Sequence, residues 1–366
     1  MRNQDTFRGC LLGGAAGDAL GYAVEFESEG RIFSRFGEKG ITEYELTNGC
    51  ARISDDTQMT LFTAAGLLAG EARKAAQSLP DPYRDAIRDS YLDWLRTQRE
   101  NFPPKEKPLA SWLLNVPELF SPRAPGGTCL AALQAGGQGT TEKPANNKKG
   151  CGGVMRVAPI GLYFNDRNVS SEFVARLGAE AAAVTHGHPL GWLPAAALAQ
   201  IVHEISQNGD SVYDAVMKTL YTQENLWPES KDKEYFLALT NKAVDLAGTD
   251  KNDLDAIHQL GEGWVAEETL AVAVYCALKH ENDFDRALIA SVNRKGDSDS
   301  TGAVTGNILG ARLGLKGIPE KYLTNLELKD LILEVADDLY KYSGPGKETD
   351  PAFAKKYLEM TWPEKA

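Results

Sequence analysis

The chain has 366 residues, 43% of them apolar, and its 39 basic against 51 acidic side chains leave a formal charge of −12. That length and composition provide for a large core. The acidity, with no Lys/Arg block, excludes nucleic-acid binding carried by phosphate neutralisation alone, and no apolar run approaches the about 20 residues of a membrane-spanning helix.

From Asp5 to about Gly21 the chain reads as a helix. Phe7, Cys10, Leu11 and Leu12 form an apolar patch that Ala15, Ala16, Ala19 and Leu20 extend. Gly13, Gly14, Gly17 and Gly21 each cost up to roughly 1 kcal/mol of helix propensity. Such residues persist where another backbone or a ligand comes close, and tight helix packing is the reading for Gly13 and Gly14. Asp18 and Glu25 sit at the end of this element, within reach of whatever the helix end faces. Residues 31–52 read as irregular, with one short strand over Ile41–Leu46. A helix follows Asp56 (Met59, Phe62, Leu67, Leu68), and a clearer one carries Tyr83, Ile87, Tyr91, Trp94 and Leu95. Residues 101–125 are Pro-rich and read as a long surface excursion.

Gly126-Gly127-Thr128 precedes a small-residue helix from Cys129 to about Ala135. A polar, Lys-rich loop over 136–150 leads to Gly150-Cys151-Gly152-Gly153-Val154-Met155-Arg156. Glycine-rich turns that run into helix N-termini point free N–H groups outward and suit anions; either can also be a plain turn. The rest is helical: 171–184, 190–207, 212–221, 234–247, 266–280, 284–292, 301–313 and 326–341. The polar stretch 222–233 is the best internal break and reads as a loop. With no repeat and no domain-sized linker, the expectation is one compact all-α multi-helix domain over 1–366.

Five scattered cysteines (Cys10, Cys50, Cys129, Cys151, Cys276) lack zinc-site spacing and read as free thiols of a reducing compartment, so the expected location is the cytoplasm. His203, His258 and His280 read as solvated on charged helix surfaces. His186 and His188 lie between two helices; with no Cys or Glu nearby in sequence, a ligand contact or a helix cap is preferred over zinc.

Two acidic clusters stand out. In Gly296-Asp297-Ser298-Asp299-Ser300-Thr301, residues two apart point the same way in an extended segment, so Asp297 and Asp299 face one point, and Ser300 and Thr301 are placed to cap the helix that follows. Far upstream, Ser54-Asp55-Asp56-Thr57 also places a hydroxyl and two carboxylates ahead of a helix. Simple capping explains either cluster by itself. Together they can converge on a pair of hard divalent cations.

These motifs resemble those of the ADP-ribosylglycohydrolase family, which includes the dinitrogenase-reductase-activating glycohydrolases. The matching parts are Arg8-Gly9-Cys10-Leu11-Leu12-Gly13-Gly14 with Gly17-Asp18-Ala19-Leu20-Gly21, then Ser54 to Thr57, Gly150 to Arg156, Thr185-His186-Gly187-His188-Pro189, Gly261-Glu262-Gly263-Trp264 and Gly296 to Thr301. Their order and spacing agree over nearly the whole chain. The resemblance implies an all-α fold with a central site for two Mg²⁺ or Mn²⁺. Ser54, Asp55 and Asp56 fall on the first ligand cluster, Asp297, Asp299 and Ser300 on the second, and Glu25 on a carboxylate near the metals. Many relatives have Thr at 54 and 300, which keeps the hydroxyl, and Asn at 151, which puts that contact in doubt here.

The implied activity is hydrolysis of the anomeric C–N bond of protein-linked ADP-ribose, most readily the arginine linkage. Glu25, Asp56 and Asp299 are the catalytic candidates. Gly126, Gly127, Thr128, Gly152, Gly153, Met155 and His186 are the substrate-binding candidates, and Trp264 either covers the site or packs in the core. Two alternatives stay open: a metal-dependent phosphohydrolase, and an immunity-type protein that occludes an ADP-ribosylating toxin. The expected partner is an ADP-ribosylated protein, with no nucleic acid or membrane.

Overall fold

The computed structural model describes residues 2–77, 82–164, 169–343 and 350–360. Among them α-helices follow one another: α1 (Gln4–Tyr22), α2 (Glu29–Phe36), α3 (Asp55–Gln77), α4 (Tyr83–Thr97), α5 (Gly127–Gln134), α6 (Ala158–Tyr163), α7 (Ser171–Ala183), α8 (Pro189–His203), α9 (Val212–Leu226), α10 (Lys231–Ala247), α11 (Asp253–Ile257), α12 (Ala266–Lys279), α13 (Phe284–Val292), α14 (Ser298–Leu313), α15 (Lys329–Tyr342) and α16 (Pro351–Ala354). The fold is all-α, as expected; the described residues form isolated bridges and no strand. One hydrophobic core draws on nearly every helix.

At its centre α1 and α14 run antiparallel in the most extensive helix pairing of the fold. Glycines four apart make this possible. Gly9, Gly13 and Gly17 on α1 meet Gly310, Gly306 and Gly302 on α14, backbone against backbone, where any Cβ would collide with a carbonyl. Because the helices are antiparallel, the C-terminal end of α1 lies beside the N-terminal end of α14. Sequence positions 18–25 and 297–300 are thereby neighbours.

Several expectations need correction. Residues 31–52 are not all irregular: α2 occupies Glu29–Phe36, a short helix with Ile32 buried and Ile32, Phe33 and Phe36 at helical spacing. No strand forms over 41–46; instead of a neighbouring strand, the Asn293 side chain serves the backbone, accepting from Ile41 N–H at 2.6 Å and donating to its carbonyl at 2.8 Å. The 101–125 stretch is no free excursion. Leu113, Leu114 and Leu119 are buried, and the fully buried Asp93 carboxylate accepts the N–H groups of Leu109, Ala110 and Ser111 at 2.8–3.0 Å.

Nor is all of 222–233 a loop: only 227–230 lies outside helix. α9 continues to Leu226 because Gln223 bonds Gln200 and Trp227 in the interior, and α10 starts at Lys231 under a Ser230 cap. His203 and His280 are buried rather than solvated, the latter 3.0 Å from the Asp253 carboxylate; His258 lies at the surface against Glu29. All five cysteines are free, as expected. No described helix is long and apolar enough to cross a membrane.

Candidate functional site

The two acidic clusters meet. α14 begins at Ser298, three residues earlier than expected, with Asp297 as its cap: Asp297 Oδ1 accepts the Ser300 N–H at 3.2 Å, and Asp299 Oδ1 accepts it at 2.9 Å. Ser300 and Thr301 therefore sit inside the helix and do not cap it. Asp297 and Asp299 come together because both carboxylates turn back onto the Ser300 N–H at the start of α14, not by strand alternation. The buried Arg294 fixes this entry, donating to the carbonyls of Glu262 and Asp297 at 2.7 and 2.9 Å and to Thr301 Oγ1 at 2.8 Å.

The upstream cluster is held by Asp18. Its fully buried carboxylate accepts the N–H of Ser54 at 2.9 Å, the N–H of Thr57 at 3.1 Å and the Thr57 hydroxyl. One side chain of α1 thus caps α3 and aims Asp55 and Asp56 forward. Asp55 Oδ2 accepts the Gly126 N–H at 3.1 Å, which ties the carboxylate to the glycine turn before α5.

These elements enclose a cleft of about 260 Å³, walled by Glu25, Asp55, Asp56, Asp297 and Asp299 together with Gly126, Gly127, Thr128, Gly152, Met155, His186, Trp264 and Ser300. On this measure one water needs about 10–15 Å³, so the cleft has room for ions and an organic group as well. Two predicted residues stand one layer back from the wall. Ser54 is fully buried, its Oγ accepting the Asp56 N–H at 3.2 Å, and Gly153 packs against Gly191 and Ala182. His188 caps α8, accepting the Leu190 N–H, and does not join His186.

The electrostatics are lopsided. Five carboxyl groups share one cleft, and among the described residues no Lys or Arg is in its wall. Burial, reinforced by Asp297, Asp55 and Asp18, pushes Glu25 up to about 9. Burial likewise raises Asp55 to about 8, against the pull of the Gly126 N–H, and lifts Asp56 and Asp299 well above the carboxylate range. Glu25 Oε2 and Asp56 Oδ2 are buried without a hydrogen-bond partner. Oxygens of Glu25, Asp297 and Asp299 lie within 4.8 Å of one another. Three carboxylates packed this closely, one of them with an orphaned oxygen, fit a divalent cation.

Sequence reasoning missed Phe26. It is 73% exposed and stacked on Trp264, itself 40% exposed, with ring centroids 6.1 Å apart and an interplanar angle of 24° at the cleft wall. Its signal was an aromatic residue in the turn after a glycine-rich helix, next to Glu25. Cys129 and Ala124 also line the cleft and were not singled out.

Known proteins fit this picture. The chain is 26% identical to ADP-ribosylhydrolase ARH3 of Mus musculus, over 89% of this chain and 88% of that protein. It is 25% identical to the ADP-ribosyl-[dinitrogen reductase] glycohydrolase of Rhodospirillum rubrum, over 89% and 91%. A solved structure described as an ADP-ribosylglycohydrolase-related protein complex superposes with a TM-score of 0.62 at 23% identity, covering 93% of this chain and 99% of that one, and so shares the fold. The family model for ADP-ribosylglycohydrolase matches residues 1–348, and the chain belongs to that family.

Proposed function

We propose that this protein is a divalent-cation-dependent hydrolase that releases ADP-ribose from modified protein by cleaving the anomeric C–N bond of ADP-ribosylarginine. The observation that carries the reading is the set of five buried carboxyl groups, two with orphaned oxygens, facing one cleft with two glycine turns. Asp55, Asp56, Asp297 and Asp299, with Ser54 and Ser300 in support, would hold two Mg²⁺ or Mn²⁺. Bound there, the cations supply charge stabilisation at the ribose and lower the pKa of a coordinated water.

The chain's own groups do the rest. α5 starts at Gly127, so the N–H groups of its first turn lack helical acceptors and can receive a phosphate oxygen. With the cations bound and its carboxylate ionised, Glu25 would take the proton of the attacking water. The stacked Phe26–Trp264 pair at the edge and the acidic wall suit a planar cation such as a guanidinium. A guanidine leaves readily when protonated, which an acidic surrounding favours.

The test gives purified protein with Mg²⁺ both arginine- and serine-linked ADP-ribosylated substrates and measures the products. Free ADP-ribose, released faster from arginine, is the expected result. Faster release from serine reverses the linkage, and AMP with ribose phosphate indicates attack at phosphorus instead.

A further inference from the structure

Behind the cleft lies a buried cation. Arg156 is fully buried, its guanidinium 4.1 Å from the centroid of the Tyr91 ring, and its Nη2 donates to the Ala181 carbonyl at 3.0 Å and to Thr185 Oγ1 at 2.8 Å. Thr185 Oγ1, also buried, lies 2.8 Å from His186 Nδ1. His186 is 2% exposed and forms part of the cleft wall. The chain Arg156–Thr185–His186 therefore runs from the core to the site.

Its direction follows from donor and acceptor counts. A guanidinium only donates, so one lone pair of Thr185 Oγ1 is taken and one hydroxyl proton remains to be placed. The Ala182 carbonyl is 3.4 Å away, long for an O–H donor, and the Cys129 thiol nearby is a weak, soft acceptor. Nδ1 is the short contact. Were Nδ1 protonated, two donors, one of them cationic, would converge on a single hydroxyl, whose own proton would be left with the long contact. The hydroxyl proton thus goes to Nδ1, and the ring proton stays on Nε2. Burial and the nearby Arg156 charge push His186 down to about 3, so the ring does not charge near neutral pH. Two glycines keep its outer edge clear: a Cβ on Gly150 would lie 3.4 Å from Nε2, and one on Gly152 3.5 Å.

We infer that Arg156 and Thr185 are positioning residues that lock His186 in the Nε2–H tautomer, giving the acidic cleft one uncharged N–H donor for a ligand oxygen. On the function proposed above, that oxygen belongs to a phosphate or ribose hydroxyl of ADP-ribose. The opposite tautomer would turn a lone pair toward the phosphate and repel it. A charged ring would instead pair with the carboxylates that the cations need.

Two readouts test the lock. The first needs no substrate: ¹⁵N–¹H NMR of the imidazole rings in the full chain. His186 is expected as Nε2–H with Nδ1 unprotonated, unchanged between about pH 5 and 8. Thr185→Val removes the hydroxyl at nearly constant volume. It should release the ring into a mixture of tautomers, weaken ADP-ribose binding and raise KM about tenfold, the worth of one hydrogen bond, with kcat little changed. Thr185→Ser should restore both, and Thr185→Ala makes the same deletion if valine disturbs packing. Nδ1–H in the wild-type protein overturns the inference, as does a Thr185→Val variant with unaltered tautomer and affinity. The expected tautomer in a wild-type protein that binds no ADP-ribose supports the lock and overturns the functional reading instead.

Discussion

Gly13 of α1 and Gly306 of α14 lie so close that a Cβ on either would overlap the other's carbonyl oxygen. This contact sets the approach of the two helices whose ends deliver Asp18, Glu25, Asp297 and Asp299. Gly306→Ala must push backbone away from backbone and should cost about 3 kcal/mol or more in urea unfolding, with weakened Mn²⁺ binding. Gly30 is the control: it lies in α2 with open space around its Cα, so Gly30→Ala should stabilise by about 0.5–1 kcal/mol. Equal effects from both would contradict the close-packing account.

Removing a site carboxylate should separate cation binding from proton transfer. Asp299→Ala or Asp56→Ala removes a carboxyl group from the cleft wall, so Mn²⁺ affinity and turnover should both fall, turnover by orders of magnitude. Glu25→Gln keeps shape but loses the base, and should lower kcat far more than it lowers ADP-ribose affinity. A fully active Glu25→Gln protein would move the base role to Asp56. Steady-state kinetics with calorimetric titration of Mn²⁺ distinguishes these cases.

Stability without a bound cation should depend on pH with a definite sign. Asp55 and Glu25 are raised from 3.8 and 4.5 to about 8 and about 9. Across that window the folded chain holds protons that the unfolded chain has released, so stability falls as pH rises. Cations displace those protons, and their benefit should grow over the same range. In chelator, Tm should drop between about pH 6 and 8, while the Mg²⁺-induced gain in Tm increases. A gain independent of pH would argue that the ions bind elsewhere.

Phe26 should act at the substrate's edge. An aromatic ring 73% exposed and stacked on Trp264 contributes little to the core. Phe26→Ala should leave Tm nearly unchanged and raise KM for arginine-modified protein about tenfold, with a smaller effect on free ADP-ribose binding. Loss of both in proportion would place the pair on the ADP-ribose moiety itself.

The sequence by itself determined the helices with strong apolar period, the glycine-marked α1, and both acidic clusters. Gly13 could be read as a close-packing residue because glycine inside a helix has few other uses. Misreadings came where the decisive partner is remote. Ile41 is satisfied by Asn293, and the stretch near Leu109 by Asp93, so neither segment shows its own structure in local composition. α2 is only eight residues long, and its helical spacing rests on Ile32, Phe33 and Phe36 alone.

Only the tertiary structure decided that Asp18 supports the site by capping α3, that Ser54 stands behind it, and that Phe26 and Trp264 stack. It also decided that Arg156, in a glycine-rich turn, is wired to His186 through Thr185. The physical reason is common to all of these. Hydrophobic period and turn chemistry are local and survive in one dimension. The partner of a buried polar group is set by which helices pack together, and here that follows from the antiparallel glycine contact of α1 with α14.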